Sequence, residues 1–331
     1  MLRLASAVPA LFGVLVLTFV LMRLLPGDPA AFFATEHDDA ASLARLREEL
    51  GLSKPIYQQF VIYLGDVARG NLGRSLTSGR PVSEELWERL PASLELTLLA
   101  LVIALSTAIP LGIAAALRPG SIIDHLTRLF CSLAIAAPTF VSALLLIYVF
   151  YYLLGWAPEP TGRLDIFAAS PPVVTGFLLI DAALAGDWEN WRAAFSQLIL
   201  PAISMALFVQ APLARMTRAS MLAVMSADFI RTARAIGLPS RQIAFRYAFR
   251  NALLPVLTTI GIIFSSMLGA NVLVEKVFSW PGVASYALDA LLSSDYAPVQ
   301  GFVLMMAFAF VLVNLIVDIL YGIADPRVSV Q

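Results

Sequence analysis

A chain of 331 residues in which 59% are hydrophobic and only 14% charged, with a mean hydropathy of +0.82, is too apolar for a water-soluble domain, where charged residues run at about 25%. The composition defines an all-α integral membrane protein, and the net charge of −1 hides an uneven distribution of arginine along the chain. The one cysteine, Cys131, excludes an internal disulfide and a cysteine metal cluster, and its apolar surroundings predict burial.

The chain opens MLRLASAVPALFGVLVLTFVLMRLLPGD, one arginine and then about 19 apolar residues with no small-residue cleavage site after them. That length exceeds a signal-peptide core, so residues 1–25 read as a retained first transmembrane helix, apolar over 6–25. Residues 26–93 mix seven basic with ten acidic positions and read as a small external helical subdomain. Within it DDAASLARLREELGL has helical spacing and ends in Gly51; KPIYQQFVIYLGDVARG predicts a second helix from about Pro55; GNLGRSLTSGRP is rich in turn residues. In SEELWERLP, Ser83 is placed to cap a short amphipathic helix leading into the next span.

Residues 94–331 read as a five-helix core with spans at about 94–117, 126–154, 197–221, 253–274 and 299–322, making six transmembrane helices in all. The fourth of the six carries Gln210, Pro212, Arg215 and Arg218 in its second half and is expected to leave the bilayer near Arg215. Prolines 110, 138, 201, 212 and 255 lie within or at the edge of spans, which requires neighbouring helices to satisfy the freed carbonyls. Arginine and lysine accumulate at Arg3, at Arg118 and Arg128, from Arg215 to Arg250 and at Arg327, against Arg163, Arg192 and Lys276 in the opposite loops. By the positive-inside rule both termini face the cytoplasm.

Residues 222–251 contain the densest basic stretch, DFIRTARAIGLPSRQIAFRYAFRN. Its five arginines would cost roughly 12 to 17 kcal/mol at the bilayer centre, so the stretch lies outside the hydrocarbon. Phe229, Ile230, Ala233 and Ile236 form a stripe at helical spacing, Asp228 is set to pair with Arg231, and Gly237 with Pro239 ends the helix. Ser240 is placed to cap a second short helix bearing Ile243, Phe245, Tyr247 and Phe249, with Arg246 and Arg250 one turn apart. Two readings fit these residues: a topogenic loop gripping anionic lipid, and a docking element that inserts into a groove of another protein.

Charge is scarce elsewhere in the spans. Asp318, one turn after Asn314, and Glu95 lie near span ends, where interfacial water accommodates them. EKVFSWPGVASYALDALLSSDY sets Trp280, Tyr286 and Tyr296, residues that favour a membrane interface, around a Pro281-Gly282 turn. His37 and His125 fall on opposite sides of the membrane, and neither H-E-x-x-H nor G-x-S-x-G occurs, which argues against a membrane enzyme. A secondary carrier would need broken helices and polar ion ligands at mid-depth, of which the spans supply little.

RTARAIGL followed by FRYAFRNALLP resembles the conserved cytoplasmic loop of permease subunits of ATP-binding-cassette importers. Arg231, Thr232 and Ala233 take the positions of that loop's E-A-A, and Gly237 matches its glycine. The peptide/nickel branch commonly carries RTARAKGL and R-x-A-L-R-N-A-x-x-P, to which this chain is similar. RLLPGDPA, LGLSKPIYQQF, GNLGRSL, PVSEELWERLPASLELT, TGFLLIDAALAGDWENW, QLILPAI, EKVFSWPGVASYALDAL, DYAPVQG and VDILYGIADPR look like blocks of that branch in its order. The resemblance implies the type I importer permease fold in a bacterial inner membrane, and these partners: a paralogous permease, two ATPase subunits and a periplasmic solute-binding protein. It implies no cofactor and no nucleic acid.

The resemblance implies further that Asp228, Phe229, Arg231, Thr232, Ala233, Arg234, Gly237, Leu238, Arg246 and Arg250 form the coupling loop. It also implies that Phe278, Trp280, Pro281 and Gly282 help to close the path on the periplasmic side. No G-x-x-x-x-G-K-[ST] occurs, so ATP hydrolysis is assigned to the partners. Peptides, nickel, opines, glutathione and some sugars are all open as cargo.

Overall fold

The computed structural model describes residues 2–24, 47–48, 53–165 and 167–324. Within these, regular structure is helical apart from one isolated bridge between Arg74 and Pro81. The helices are α1 (Leu2–Leu24), α2 (Ile56–Ala68), α3 (Val82–Leu117), α4 (Ile122–Ala136), α5 (Thr139–Leu146), α6 (Leu178–Leu184), α7 (Trp188–Met225), α8 (Asp228–Ala235), α9 (Ser240–Gln242), α10 (Arg250–Val277), α11 (Val283–Leu292) and α12 (Tyr296–Ala324). Two π-helical turns, Ile147–Leu153 and Ile243–Phe249, prolong α5 and join α9 to α10. Gly51 and most of the helix expected before it lie outside the described residues, as do His37 and Arg327; Arg47 and Glu48 are helical.

Four helical runs are long and apolar enough to cross a membrane: Val82–Leu117, Trp188–Met225, Ser240–Met267 and Tyr296–Val317. The expected span at 126–154 is a broken pair, Ile122–Ala136 and Thr139–Leu153, bent by 102°. Pro138 is the cause: it has no N–H to give, and it pushes Ala137 out of the helical region to φ −92°, ψ 127°. In α1 the apolar run among the described residues is the shorter Leu11–Leu21. The short helix expected from Ser83 does not stand apart, because α3 begins at Val82, keeps Ser83 inside its first turn with Glu84 and Glu85, and passes through Pro91 without a break. Likewise α7 continues past Arg215 to Met225.

The chain divides into two compact units. The first comprises Met1–Pro91 and Pro281–Val311. In it Phe19 of α1 packs edge-on to Phe60 at 5.1 Å and stacks on Tyr63 at 5.8 Å, while Arg23 lies over Phe19 and donates to Gln59 Oε1. The turn-rich loop is tied down by Asp295, fully buried, whose Oδ2 accepts from Ser75 Oγ at 2.8 Å, Leu76 N at 2.7 Å and Thr77 N at 3.1 Å. Tyr286 donates to Glu85, and burial together with that bond pushes its phenol above the ordinary range. Val82, Leu86, Val283 and Tyr286 form the apolar core of this unit.

The second unit comprises Ala92–Trp280 and Leu312–Gln331. Its packing follows from a row of mostly small residues on α3, namely Ala92, Leu96, Ala100, Ala104, Ala108, Gly112 and Ala116, all buried and all four apart. Small side chains let helix backbones approach closely where lipid supplies no hydrophobic drive. At Gly112 the approach is tightest, since a Cβ there would lie 2.7 Å from the Ala214 carbonyl oxygen of α7. Polar rungs cross the same interior. Ser93 donates to Glu275, Asn271 Nδ2 to Thr97 Oγ1 at 2.8 Å, and Gln210 Nε2 to Thr107 Oγ1 at 2.8 Å. Cys131 is buried, as its surroundings predict.

Candidate coupling loop and outer segment

Helix α8 begins after Ala227 with no side-chain cap, Asp228 in its first turn and Arg234 in its last, each of the sign that suits its end of the helix dipole. Asp228 and Arg231 form the expected ion pair at 3.2 Å, but both are strongly exposed and the pair contributes little to stability. The helix stops as the sequence predicts. Gly237 has φ +81°, its N–H bonds the Arg234 carbonyl at 3.0 Å, and the N–H of Leu238 bonds the Ala233 carbonyl at 3.2 Å. These two bonds make a Schellman cap, which needs a left-handed residue at this position.

The anticipated apolar stripe is split between two faces. Ile230 and Ala233 are buried with Met221, Ile113, Ala116, Ile243, Ala248 and Ala252, and Leu238 packs on this cluster. Phe229 and Ile236 point outward instead, at 45% and 69% exposure, and Phe245 joins them at 53%. A helix as short as α8 presents about two turns, and its inward side is filled by residues 230 and 233, which leaves 229 and the capping residue 236 on an exposed flank.

Two expectations for the second half of the loop are corrected. Ser240 caps nothing: Pro239 holds the cap position and Ser240 is the first helical residue. Nor is there a separate second helix, since α9, the π turn and α10 follow one another with Gln242, Ile243, Phe249 and Arg250 all right-handed helical. The inward face of this run is Ile243, Ala244 and Ala248, with Tyr247 and Phe249 half-buried. Thr232, whose hydroxyl back-bonds to the Asp228 carbonyl at 3.1 Å, is exposed, as are Arg234, Arg241, Arg246 and Arg250. These four arginines have no ion-pair partner among the described residues. Pro239, Arg241, Gln242 and Phe245 line a shallow depression beside them.

At the other end of α10, Phe278 and Trp280 are buried rather than presented to a membrane interface. Ser279 between them takes φ +53°, and the Trp280 indole donates to the Ala92 carbonyl at 2.9 Å. The chain passes from the second unit to the first between Trp280 and Pro281, and Gly282 precedes α11.

Three charged groups that periodicity left unremarked or placed at span edges are built into the second unit. Glu275 is fully buried and accepts from Ser93. Glu95 takes 2.7 Å from Arg163 Nη2 and 2.9 Å from Leu179 N. Asp124, 1% exposed, accepts from both Arg218 Nε at 2.6 Å and Arg218 Nη2 at 2.9 Å, and from Gly120 N at 3.0 Å. The available signal was spacing, since Ser93 and Thr97 are four apart, as are Asn271 and Glu275. The side chain of Asp318 lies outside the described residues, and His125 Nδ1 is engaged with the Ser121 carbonyl at 2.8 Å.

An all-helical chain with several spanning runs and a basic, apolar-tipped loop held rigidly at one helix base has the make-up of the membrane subunit of a multisubunit transporter. Residues 108–330 match the family described as binding-protein-dependent transport system inner membrane component, and residues 1–97 match the N-terminal model of such membrane components. The chain belongs to this family, the permease subunits of ATP-binding-cassette importers; a member is a transport component and not itself an enzyme. It is 43% identical over 330 residues to the di/tripeptide transport system permease protein DppB of Pseudomonas aeruginosa, covering 99% of this chain and 98% of that one. To the probable D,D-dipeptide transport system permease protein DdpB of Escherichia coli it is 43% identical, covering 96% and 93% of the two chains. To the dipeptide transport system permease protein DppB of Alkalihalophilus pseudofirmus it is 37% identical, covering 99% and 98%.

Proposed function

We propose that this chain forms, with a paralogous permease, the translocation path of an ATP-driven importer of short peptides. A periplasmic binding protein delivers the cargo, two ATPases supply the energy, and this chain couples to them through its cytoplasmic loop, residues 222–251. The reading takes six transmembrane helices in the type I importer arrangement, α1 and the broken pair included, with both termini cytoplasmic and residues 26–93 as a helical subdomain on the periplasmic side. Short peptides are the proposed cargo because relatives similar over almost their whole lengths are named for dipeptide, D,D-dipeptide and di/tripeptide transport. The outer segment from Phe278 to Gly282 is proposed to help close the periplasmic mouth.

One observation carries the coupling assignment. Phe229, Ile236, Phe245 and four arginines without an ion-pair partner among the described residues all face away from the chain, on an element whose other side is fixed by buried apolar packing. An apolar anchor set with charge around it is the pattern of a surface that inserts into a groove. Gly237→Val tests it. A Cβ at this position would meet no atom within 4 Å, so the strain falls on the left-handed turn that a β-branched residue rarely adopts. The variant is expected to insert and assemble normally but to lose binding-protein-stimulated ATP hydrolysis in the reconstituted importer. Stimulation at the parent level would refute the assignment.

A further inference from the structure

Between the π turn that prolongs α5 and the start of α7, the chain makes the short helix α6 and a loop with no strand among its described residues. From Pro172 to Gly186 the sequence PVVTGFLLIDAALAG contains one charged residue, Asp181. That residue is 3% exposed and its carboxylate is closed inside the loop: Oδ1 accepts from Thr175 N at 2.8 Å and Thr175 Oγ1 at 2.7 Å, and Oδ2 from Gly176 N at 2.9 Å. Burial opposes its ionisation, and the bonds from Thr175 and Gly176 outweigh burial and hold it below the usual carboxylate range. The outward side is apolar. Val173, Val174, Ile180 and Leu184 are exposed, at 48% or more, and Trp156 at 75%.

A loop facing water has no need to hide its only carboxylate while presenting valine, isoleucine and leucine; surface segments of this length normally display charge. A segment in contact with lipid must do both, because exposed backbone and side-chain polar groups go unsatisfied there.

Depth can be read from hydrogen bonds. The uncharged run of α3 extends from Leu96 to Leu117, where Arg118 follows. At 1.5 Å per residue that is roughly 33 Å, about the thickness of a bilayer's hydrocarbon core, so Glu95 marks its border. The other side of that carboxylate accepts from the N–H of Leu179, the second residue of α6. Arg163, paired with Glu95 at 2.7 Å, also donates to the Gly176 carbonyl at 3.0 Å, and Thr161 accepts from Gln197, where the apolar run of α7 begins. Helix α6 and its preceding loop therefore sit at the level where the hydrocarbon ends.

We infer that the segment from Pro172 to Gly186 is a monotopic membrane contact: α6 lies in the headgroup–acyl boundary, with Val173, Val174, Ile180 and Leu184 against lipid, and the exposed Trp156 belongs to the same connection between α5 and α7. Interfacial helices of this kind bury an apolar face a few ångströms below the headgroups, and tryptophan is enriched at that depth. The inference rests on α3 crossing the bilayer and not on which partners the cytoplasmic loop meets, so failure of the ATPase assignment leaves it standing.

The test is nitroxide accessibility in the assembled importer. Val174→Cys, Ile180→Cys and Leu184→Cys, with Glu159→Cys as a water-exposed control, are made in a Cys131→Ala background with cysteine-free partner subunits. The spin-labelled complexes are reconstituted in phosphatidylethanolamine/phosphatidylglycerol vesicles. Collision with oxygen, which concentrates in acyl chains, is compared with collision with a water-soluble nickel chelate. Oxygen is expected to dominate at 174, 180 and 184 and the chelate at 159. Dominance of the chelate at the three positions overturns the inference in favour of water. Exclusion of both agents, or a signal that changes only when the binding protein is added, overturns it in favour of a protein interface. The unlabelled variants, free of the bulk of the label, must agree: a membrane-impermeant maleimide is expected to modify the Glu159→Cys variant rapidly and the other three slowly, and rapid modification of all four sinks the proposal.

Discussion

Asp124 holds Arg218 in a two-bond fork, accepts from the Gly120 N–H and has Arg128 at 3.7 Å. It joins the first turn of α4 to the lower half of α7. Removing one partner of a buried pair leaves the other charge stranded and typically costs about 3–5 kcal/mol, while removing both costs less. Arg218 is 24% exposed at its side chain, so solvent screens the pair and reduces that loss, and Asp124→Asn is expected to be destabilising but milder than a fully buried pair would make it. Thermal unfolding of the detergent-solubilised protein should show a lower midpoint for Asp124→Asn, and part of the loss should return in Asp124→Asn combined with Arg218→Gln. Sequence reading could not reach this pair: Arg218 counted among the topogenic charges and Asp124 drew no reading, since the partners are far apart in the chain and no periodicity links them. Gly237 was legible because its role is local, set by a turn four residues wide.

At the scale of elements, the seam between α3 and α7 makes a sharp prediction. A methyl group at residue 112 would lie 2.7 Å from backbone oxygen, and backbone cannot swing aside as a side-chain tip can. Gly112→Ala is therefore expected to lower the unfolding temperature clearly. Gly269→Ala, where nothing stands within 4 Å, should leave it unchanged or raise it slightly through helix propensity. Equal effects of the two substitutions would mean that close approach does not hold these helices. Four of the six expected spans were readable as single helices, because hydropathy over about 20 residues is a strong signal. Interruptions were not: Pro138 breaks a span, whereas Pro91, Pro110, Pro201, Pro212 and Pro255 are carried inside helices. The difference lies in what surrounds each freed carbonyl, which a sequence does not state. Ser83 and Ser240 failed as caps for a related reason, since each helix starts one residue or more earlier than its hydroxyl suggested.

For the molecule as a whole, the spanning interior has few charges, and those that the structure describes are tied to neighbours rather than set at mid-depth for an ion. That arrangement suits a path whose selectivity resides in a partner, and it sets the expected energetics of uptake. In proteoliposomes holding the complete importer, dipeptide accumulation should require internal-face ATP and the binding protein, and should persist when an uncoupler abolishes the proton gradient. Accumulation that follows the ion gradient without ATP would place the chain among secondary carriers instead. Family membership was visible in the order of short blocks along the chain, and the comparisons bear it out. Cargo was not visible, since no side chain read from the sequence is tied to a particular solute.

The uninterrupted run from Ser240 through the π turn to Val277 has a mechanical consequence. Being one rod of roughly 55 Å at a rise near 1.5 Å per residue, it would convert a tilt of only about 5° at the foot into a sideways shift of about 5 Å at the head. A nudge delivered beside Phe245 would thus be felt at Val277 as leverage, with no loop along the run to absorb the stroke.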